Sequence, residues 1–159
     1  SFGRYRKAGG LVVMHMIPDE VVELAVSSPL AMIASDGLLQ RGKGHPRTAG
    51  TYSRVLGRFV RKVGSITLME ALNKMALMPA QRLEHRVPMM ERKGRVRVGA
   101  DADLVVFDAQ RVIDRATYQE PMLPSDGIKD VLVNGIPVVS RGRLQEDVTP
   151  GQAVRVPSS

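Results

Sequence analysis

One carboxylate stands out by its place in the chain. The run Pro29-Leu30-Ala31-Met32-Ile33-Ala34-Ser35-Asp36-Gly37 is short, apolar and ends abruptly in Ser-Asp-Gly. That pattern predicts a buried strand that delivers Asp36 to its C-terminal tip. In parallel sheets, the loops beyond strand C-termini are where chemistry is assembled. A carboxylate held there can do acid–base work or bind a metal. Gly37 and the polar loop Gln40-Arg41-Gly42-Lys43-Gly44-His45-Pro46-Arg47 follow directly, which makes Asp36 the best catalytic candidate in the chain. The tripeptide also suits an Asp that caps the next loop or helix, and on its own it leaves both roles open.

The elements that would carry this loop can be read on either side of it. Leu11-Val12-Val13-Met14 after Gly9-Gly10 predicts a buried strand, with His15-Met16-Ile17-Pro18 as its exit loop. Asp19 and Glu20 then put acids in the first turn of a helix over 19–26. Strand, helix and strand in about 25 residues make a βαβ unit, and hence an α/β fold with parallel pairing. Tyr52, Val55, Leu56, Phe59, Val60 and Val63 recur on one helical face, with Arg54, Arg58, Arg61 and Lys62 off it and Gly64 suited to the cap. Thr67-Leu68-Met69-Glu70 is a capping box opening a helix through Ala76, and Pro79 begins a short helix through Leu83. Met69, Met75 and Met78 read as core filler.

From Gly94 the pattern turns to β. Arg95-Val96-Arg97-Val98 alternates, Asp103-Leu104-Val105-Val106-Phe107 is a buried strand, and Asn134-Gly135 between two apolar runs marks a hairpin. The division is therefore residues 1–93 and 94–159. At 159 residues, 43% apolar and 25% charged, the chain can bury a real core. No run approaches the roughly 18 apolar residues of a membrane helix, and no signal peptide is visible, so the expected setting is cytoplasmic and without membrane. Zero cysteines exclude disulfides and thiolate metal sites within these residues. The net charge of +7 is scattered along the chain, and three Tyr, three Phe and no Trp leave little for stacking on bases. Nucleic acid is not the expected partner.

Four segments together resemble the D-aminoacylase (N-acyl-D-amino-acid deacylase) family of the amidohydrolase superfamily, over about residues 11–145. They are Met32-Ile33-Ala34-Ser35-Asp36-Gly37, His45-Pro46-Arg47, Tyr52 through Val60, and Gly99-Ala100-Asp101-Ala102-Asp103-Leu104-Val105-Val106-Phe107-Asp108 with Val133-Asn134-Gly135. The resemblance implies the last strands and helices of a metal-dependent (β/α)8 barrel over 1–93, and part of a small β-sandwich over 94–159. It implies Zn2+ as cofactor and an N-acyl amino acid as substrate, with Asp36 binding metal or water and shuttling the proton. Independently of any family, an amide needs a nucleophile and a proton for the departing amine, and one carboxylate beside a metal-bound water can supply both. The resemblance places Arg47 where the substrate's α-carboxylate would be gripped, a task its guanidinium fork suits; a salt bridge within the loop is the competing role. His45 would orient Asp36 or hold the loop. Met14 and Ile17 would line the acyl or side-chain pocket, unless they simply pack in the core. His15 would be a ligand or proton carrier only against the usual structural role of a lone strand-end histidine. A cyclic-amide hydrolase of the dihydroorotase or hydantoinase kind, and a non-catalytic basic binding or scaffold chain, are the alternatives.

Much of such an enzyme is not encoded here. A (β/α)8 barrel takes roughly 250 residues. Three His and no Cys cannot supply the family's early His-x-His, bridging ligand and later His pair, whereas catalytic zinc takes about three protein ligands. Ser1 in place of Met also suggests a chain that begins mid-protein. The expected partner is therefore the remaining N-terminal part of the enzyme or a companion chain. Alone, the chain is expected to be poorly soluble or a homo-oligomer, through an uncovered sheet edge. The 159-residue chain assayed alone with zinc should show no turnover of N-acyl amino acids; appreciable turnover would refute this reading.

Overall fold

The computed structural model describes residues 3, 4, 7, 16–40 and 42–156. The predicted strand Leu11–Met14, with Met14 and His15, lies outside them. The first element among the rest is helix α1 (Asp19–Ser27), with Asp19 and Glu20 in its first turn as expected. Asp19 also pairs with Arg58 at 3.0 Å, and that hydrogen bond and charge hold its carboxyl below the ordinary aspartate range. Residues 31–38 follow without ladder pairing among the described residues. Next, β1 (Leu39–Gln40) pairs antiparallel with β2 (Lys43–Gly44) around Gly42, at φ +72°. The stretch read as loop thus contains a tight hairpin.

Helix α2 (Arg47–Arg54) continues without a break as wider π turns over Val55–Val63 and ends at Gly64, φ +74°. Val55, Leu56 and Phe59 are buried while Tyr52 and Val63 stay half-exposed, so the predicted stripe is sunk at its centre. A Cβ at Gly57 would come within 2.4 Å of Ile113 Cδ1 and 2.7 Å of the Val112 carbonyl, an approach only glycine permits. Beside it Arg61 donates to the carbonyls of Ala109 (3.0 Å) and Val112 (2.7 Å). Helix α3 (Leu68–Leu72) opens with the predicted capping box: Thr67 Oγ1 accepts from Glu70 N, and Glu70 Oε2 accepts from Thr67 N at 2.7 Å. Those bonds keep the Glu70 carboxyl below its usual range. Widened turns over Asn73–Leu77 then lead into α4 (Met78–Glu84). A proline inside a helix clashes with the carbonyl four residues back, and the wider turns just before Pro79 relieve that clash. The predicted short helix is thus continuous with its predecessor. A 3₁₀ turn over Pro88–Arg92 follows.

The β part is one antiparallel sheet in the order β3 (Leu104–Phe107), β4 (Ile128–Val133), β5 (Ile136–Ser140), β6 (Arg143–Leu144). Asn134 and Gly135 make the β4–β5 turn at φ +49° and +77°, with Val133 opposite Ile136, as the Asn-Gly signal predicts. The core joins Ile33, Val55, Leu56, Phe59, Ile66, Ala71 and Val112, with Val22, Val26, Phe107 and Ile128 packed against it.

Two strand expectations require correction. Leu30–Ala34 begins in a turn, with Ala31 N donating to Ser28 O, and has no ladder partner among the described residues; Leu30 is 93% exposed, and only Ile33 is buried. Its backbone is held from a helix instead, so no parallel βαβ pairing forms among the described residues. Arg95–Val98 is a strap between Gly94 (φ +68°) and Gly99 (φ +83°), not a strand. Arg95 donates to Lys93 O and Glu84, and Arg97 donates to Glu91 O. These local bonds satisfy the side chains without a sheet, and leave Val96 and Val98 exposed.

Lys93 joins the two halves. Its ammonium meets Asp103 at 2.5 Å and Asp101 at 3.0 Å, while Asp103 Oδ1 accepts the turn amide of Asn134 at 2.8 Å. Partial burial pulls the Lys93 pKa down, but its bonds to Asp103 and Asp101 outweigh that and raise it overall. The Lys93 bond, then the Asn134 amide, lower Asp103. The bridge's stabilisation is thus complete between the ordinary aspartate value of 3.8 and the ordinary lysine value of 10.5. It is lost as pH falls through the lowered folded-state value of Asp103, or rises through the raised one of Lys93. Asp103→Asn should cost about 1 kcal/mol at pH 7 and flatten the acid limb of a urea-unfolding series; an unchanged acid limb would remove the bridge from this role.

Candidate active site

The segment that carries Asp36 is pinned at both ends. Upstream, Lys74 on the widened part of helix α3 is 5% exposed, and its ammonium donates to the carbonyls of Ser28 and Ala31. The Lys74 carbonyl in turn accepts the Ile33 amide at 3.1 Å. Downstream, a Cβ at Gly37 would stand 3.1 Å from both Cα and Cγ2 of Thr48, so the backbone passes tightly against the start of α2. Between the two anchors Asp36 adopts φ +46°, a left-handed conformation that an Asp tolerates better than most residues.

That turn aims Asp36 at the first residue of α2. Arg47 Nη2 donates to Asp36 Oδ2 at 2.6 Å, and Arg47 Nε donates to the Asp36 carbonyl at 3.0 Å. The side chains are 44% and 86% exposed, so water screens the pair. His45 Nδ1 accepts the Arg47 amide at 3.1 Å, which fixes the approach to the helix. Its ring meets Tyr118 edge-on at 5.2 Å, with Nε2 and the phenol oxygen 3.4 Å apart. The structure therefore brings Asp36, Arg47 and His45 together. Ile17 is exposed ahead of α1 and takes no part in this hydrogen-bonded group; Met14 and His15 lie outside the described residues.

Two members escaped the sequence reading. Tyr118 lies 73 residues from His45, and no local pattern announces such a contact. Lys74 sits among Ala71, Leu72 and Met75; a lysine in an apolar stretch was the available signal.

One carboxylate and one imidazole do not make a zinc site. Among the described residues no three His, Asp or Glu side chains are grouped to hold a metal, and this part of the chain does not by itself fit catalytic zinc. Nor, among the described residues, is any helix long and apolar enough to cross a membrane. An apolar concavity of about 1040 Å³ is walled by Leu56, Leu72, Met75, Leu104 and Phe107. Asp36, Arg47 and His45 are not in its walls. What the group can offer is a carboxylate for proton transfer and a guanidinium with further donors beyond those used on Asp36.

Comparison with known proteins gives one consistent answer. Residues 14–139 match the model of the amidohydrolase family. The chain is 50% identical over 107 residues to an N-acyl-D-glutamate deacylase of Alcaligenes xylosoxydans xylosoxydans, covering 67% of this chain and 21% of that protein. It is 39% identical over 145 residues to a D-aminoacylase of the same organism, covering 91% of this chain and 28% of the relative. Among solved structures it is similar to the N-acyl-D-glutamate deacylase of Bordetella bronchiseptica, complexed with zinc and a phosphonate mimic of the tetrahedral intermediate, at TM-score 0.77 and 39% identity over 88% of this chain and 28% of that one. A D-aminoacylase with a binuclear metal centre matches at TM-score 0.76 and 35% identity, over 83% of this chain and 27% of that one. The chain thus spans between a fifth and three-tenths of the length of these relatives.

Ligand binding and loop cementing make different demands on Arg47. An ion pair this exposed contributes about 0–1 kcal/mol. Arg47→Ala should therefore shift the urea-unfolding free energy by less than about 1 kcal/mol; a loss several times larger would make the residue a structural tie.

Proposed function

Because this chain belongs to the amidohydrolase family, and within it to the D-aminoacylase group, we propose that it is the C-terminal portion of a zinc-dependent enzyme hydrolysing the amide bond of N-acyl-D-amino acids to a carboxylate and a free D-amino acid. Residues 1–93 would close the (β/α)8 barrel, and 94–159 would form part of the β-sandwich. The observation that carries the proposal is that Arg47 holds Asp36, the residue best placed for proton transfer, through Nη2 on its carboxylate at 2.6 Å and Nε on its carbonyl at 3.0 Å.

In this reading Asp36 takes a proton from the attacking water and returns it to the departing nitrogen, which must leave as a neutral amine. Arg47 keeps its bonds to Asp36 and turns its remaining donors toward the α-carboxylate of the substrate, setting the distance between that group and the scissile amide. His45 holds the first turn of α2 so that the guanidinium stays beside Asp36. Met14 and Ile17 are assigned to the pocket for the acyl group or side chain. Bound zinc would supply polarisation of the amide and of a water; Asp36 would offer one carboxylate to hold it, and the other ligands would have to come from the N-terminal part of the enzyme or a companion chain.

In the zinc-loaded enzyme containing this chain, Asp36→Asn should lower kcat about 100- to 10,000-fold. Arg47→Lys should raise KM for N-acyl-D-amino acids about tenfold or more with kcat little changed. A cyclic imide, which lacks the free carboxylate, should be turned over with KM unaffected. Equal KM losses for both substrates would show that Arg47 does not grip the α-carboxylate, turnover of the cyclic imide alone would point to the cyclic-amide class, and full activity in Asp36→Asn would end the proposal.

A further inference from the structure

We propose that Lys74 is a positioning residue for Asp36, acting through the backbone of residues 28–33; this rests on the proton-transfer role assigned to Asp36 above. A strand in a sheet has its register set by ladder bonds on both sides. The stretch leading to Asp36 has no such ladder among the described residues, yet its polar backbone must be met somewhere. A single residue of helix α3 meets three of those groups. The Lys74 ammonium takes the carbonyls of Ser28 and Ala31, and its own carbonyl takes the Ile33 amide.

The choice of residue is telling. Lys74 is 5% exposed, close to buried Ala71 and half-buried Leu72 and Met75. Burying an ammonium is costly unless its donors are met, and an apolar side chain would pack there at no such cost. The charge makes sense as a clamp that draws two carbonyls onto one point. The bend at Ser28 is fixed locally as well, since Ala31 N donates to Ser28 O and Leu30 N to Ser28 Oγ. From Ile33, whose side chain is anchored in the core, three residues reach Asp36, and the contact of Gly37 with Thr48 stops the chain beyond it. With both ends fixed, a shift at Lys74 is passed to the carboxylate rather than absorbed. Lys74 touches no substrate in this account.

The test compares Lys74→Met, Lys74→Gln and Asp36→Asn in the zinc-loaded enzyme containing this chain. Lys74→Met should lower kcat about tenfold to a hundredfold with KM within about threefold. Amide exchange over residues 29–37 should quicken about tenfold while β4 and β5 keep their protection. Lys74→Gln keeps two N–H donors on a shorter, uncharged side chain and should fall between Lys74→Met and the parent on both readouts. If Lys74→Met does not fold, Lys74→Gln decides by the same two measurements. Parental kcat, a change in KM alone, or a kcat loss without faster exchange in 29–37 would overturn the proposal. Full activity in Asp36→Asn would overturn the role of Asp36, and with it the catalytic part of this inference; the exchange rates report on the Lys74 clamp separately.

Discussion

Backbone polar groups in a folded interior must find partners, and that constraint organises the region around Asp36. A run of Leu, Ala, Met and Ile reads as a strand, but a strand is a relation between two chains of hydrogen bonds. Residues 31–38 have no such neighbour among the described residues, so Lys74 and Ile33 tie them to helix α3 instead. The left-handed turn at Asp36, its bond to Arg47 and the tight passage at Gly37 follow from a chain held at one end by that helix and at the other by the start of α2.

The second organising contact joins the helices to the sheet. Gly57 lets the widened turns after α2 lie directly on residues 112–113, Arg61 takes the carbonyls of Ala109 and Val112, and Arg54 reaches Asp114 at 3.3 Å. Val112 is 1% exposed at the centre of this contact. Lys93 with Asp101 and Asp103 ties a second point. The helical part and the sheet part share one core.

What the sequence made legible followed local rules. Acids at Asp19 and Glu20, the Thr67–Glu70 box, the stripe through Val55, Leu56 and Phe59, and the Asn134-Gly135 turn each depend on neighbours a few residues away. The failures were non-local. Val96 and Val98 alternate with arginines as a strand would, but bracketing glycines and three arginine bonds made a strap of them. The widened turns of α2 and α3 have no periodic signature, since they answer to Pro79 and to packing. The contact among Asp36, Arg47 and His45 was legible because one short loop holds all three, whereas Tyr118 and Lys74 enter from distant parts of the chain.

The Asn134-Gly135 turn also bears on the order of assembly. Hairpins closed by so short a loop form in about 1–10 μs, with β6 able to add along the same edge. The contact of Arg61 with Val112 spans 51 residues and must wait for a much larger loop to close. The β4–β5 hairpin is thus a local contact, whereas the contacts that seat the helices on residues 109–113 are not. The turn at Asp36 leans on both Lys74 and the start of α2, so its shape rests on contacts that close larger loops than the hairpin does.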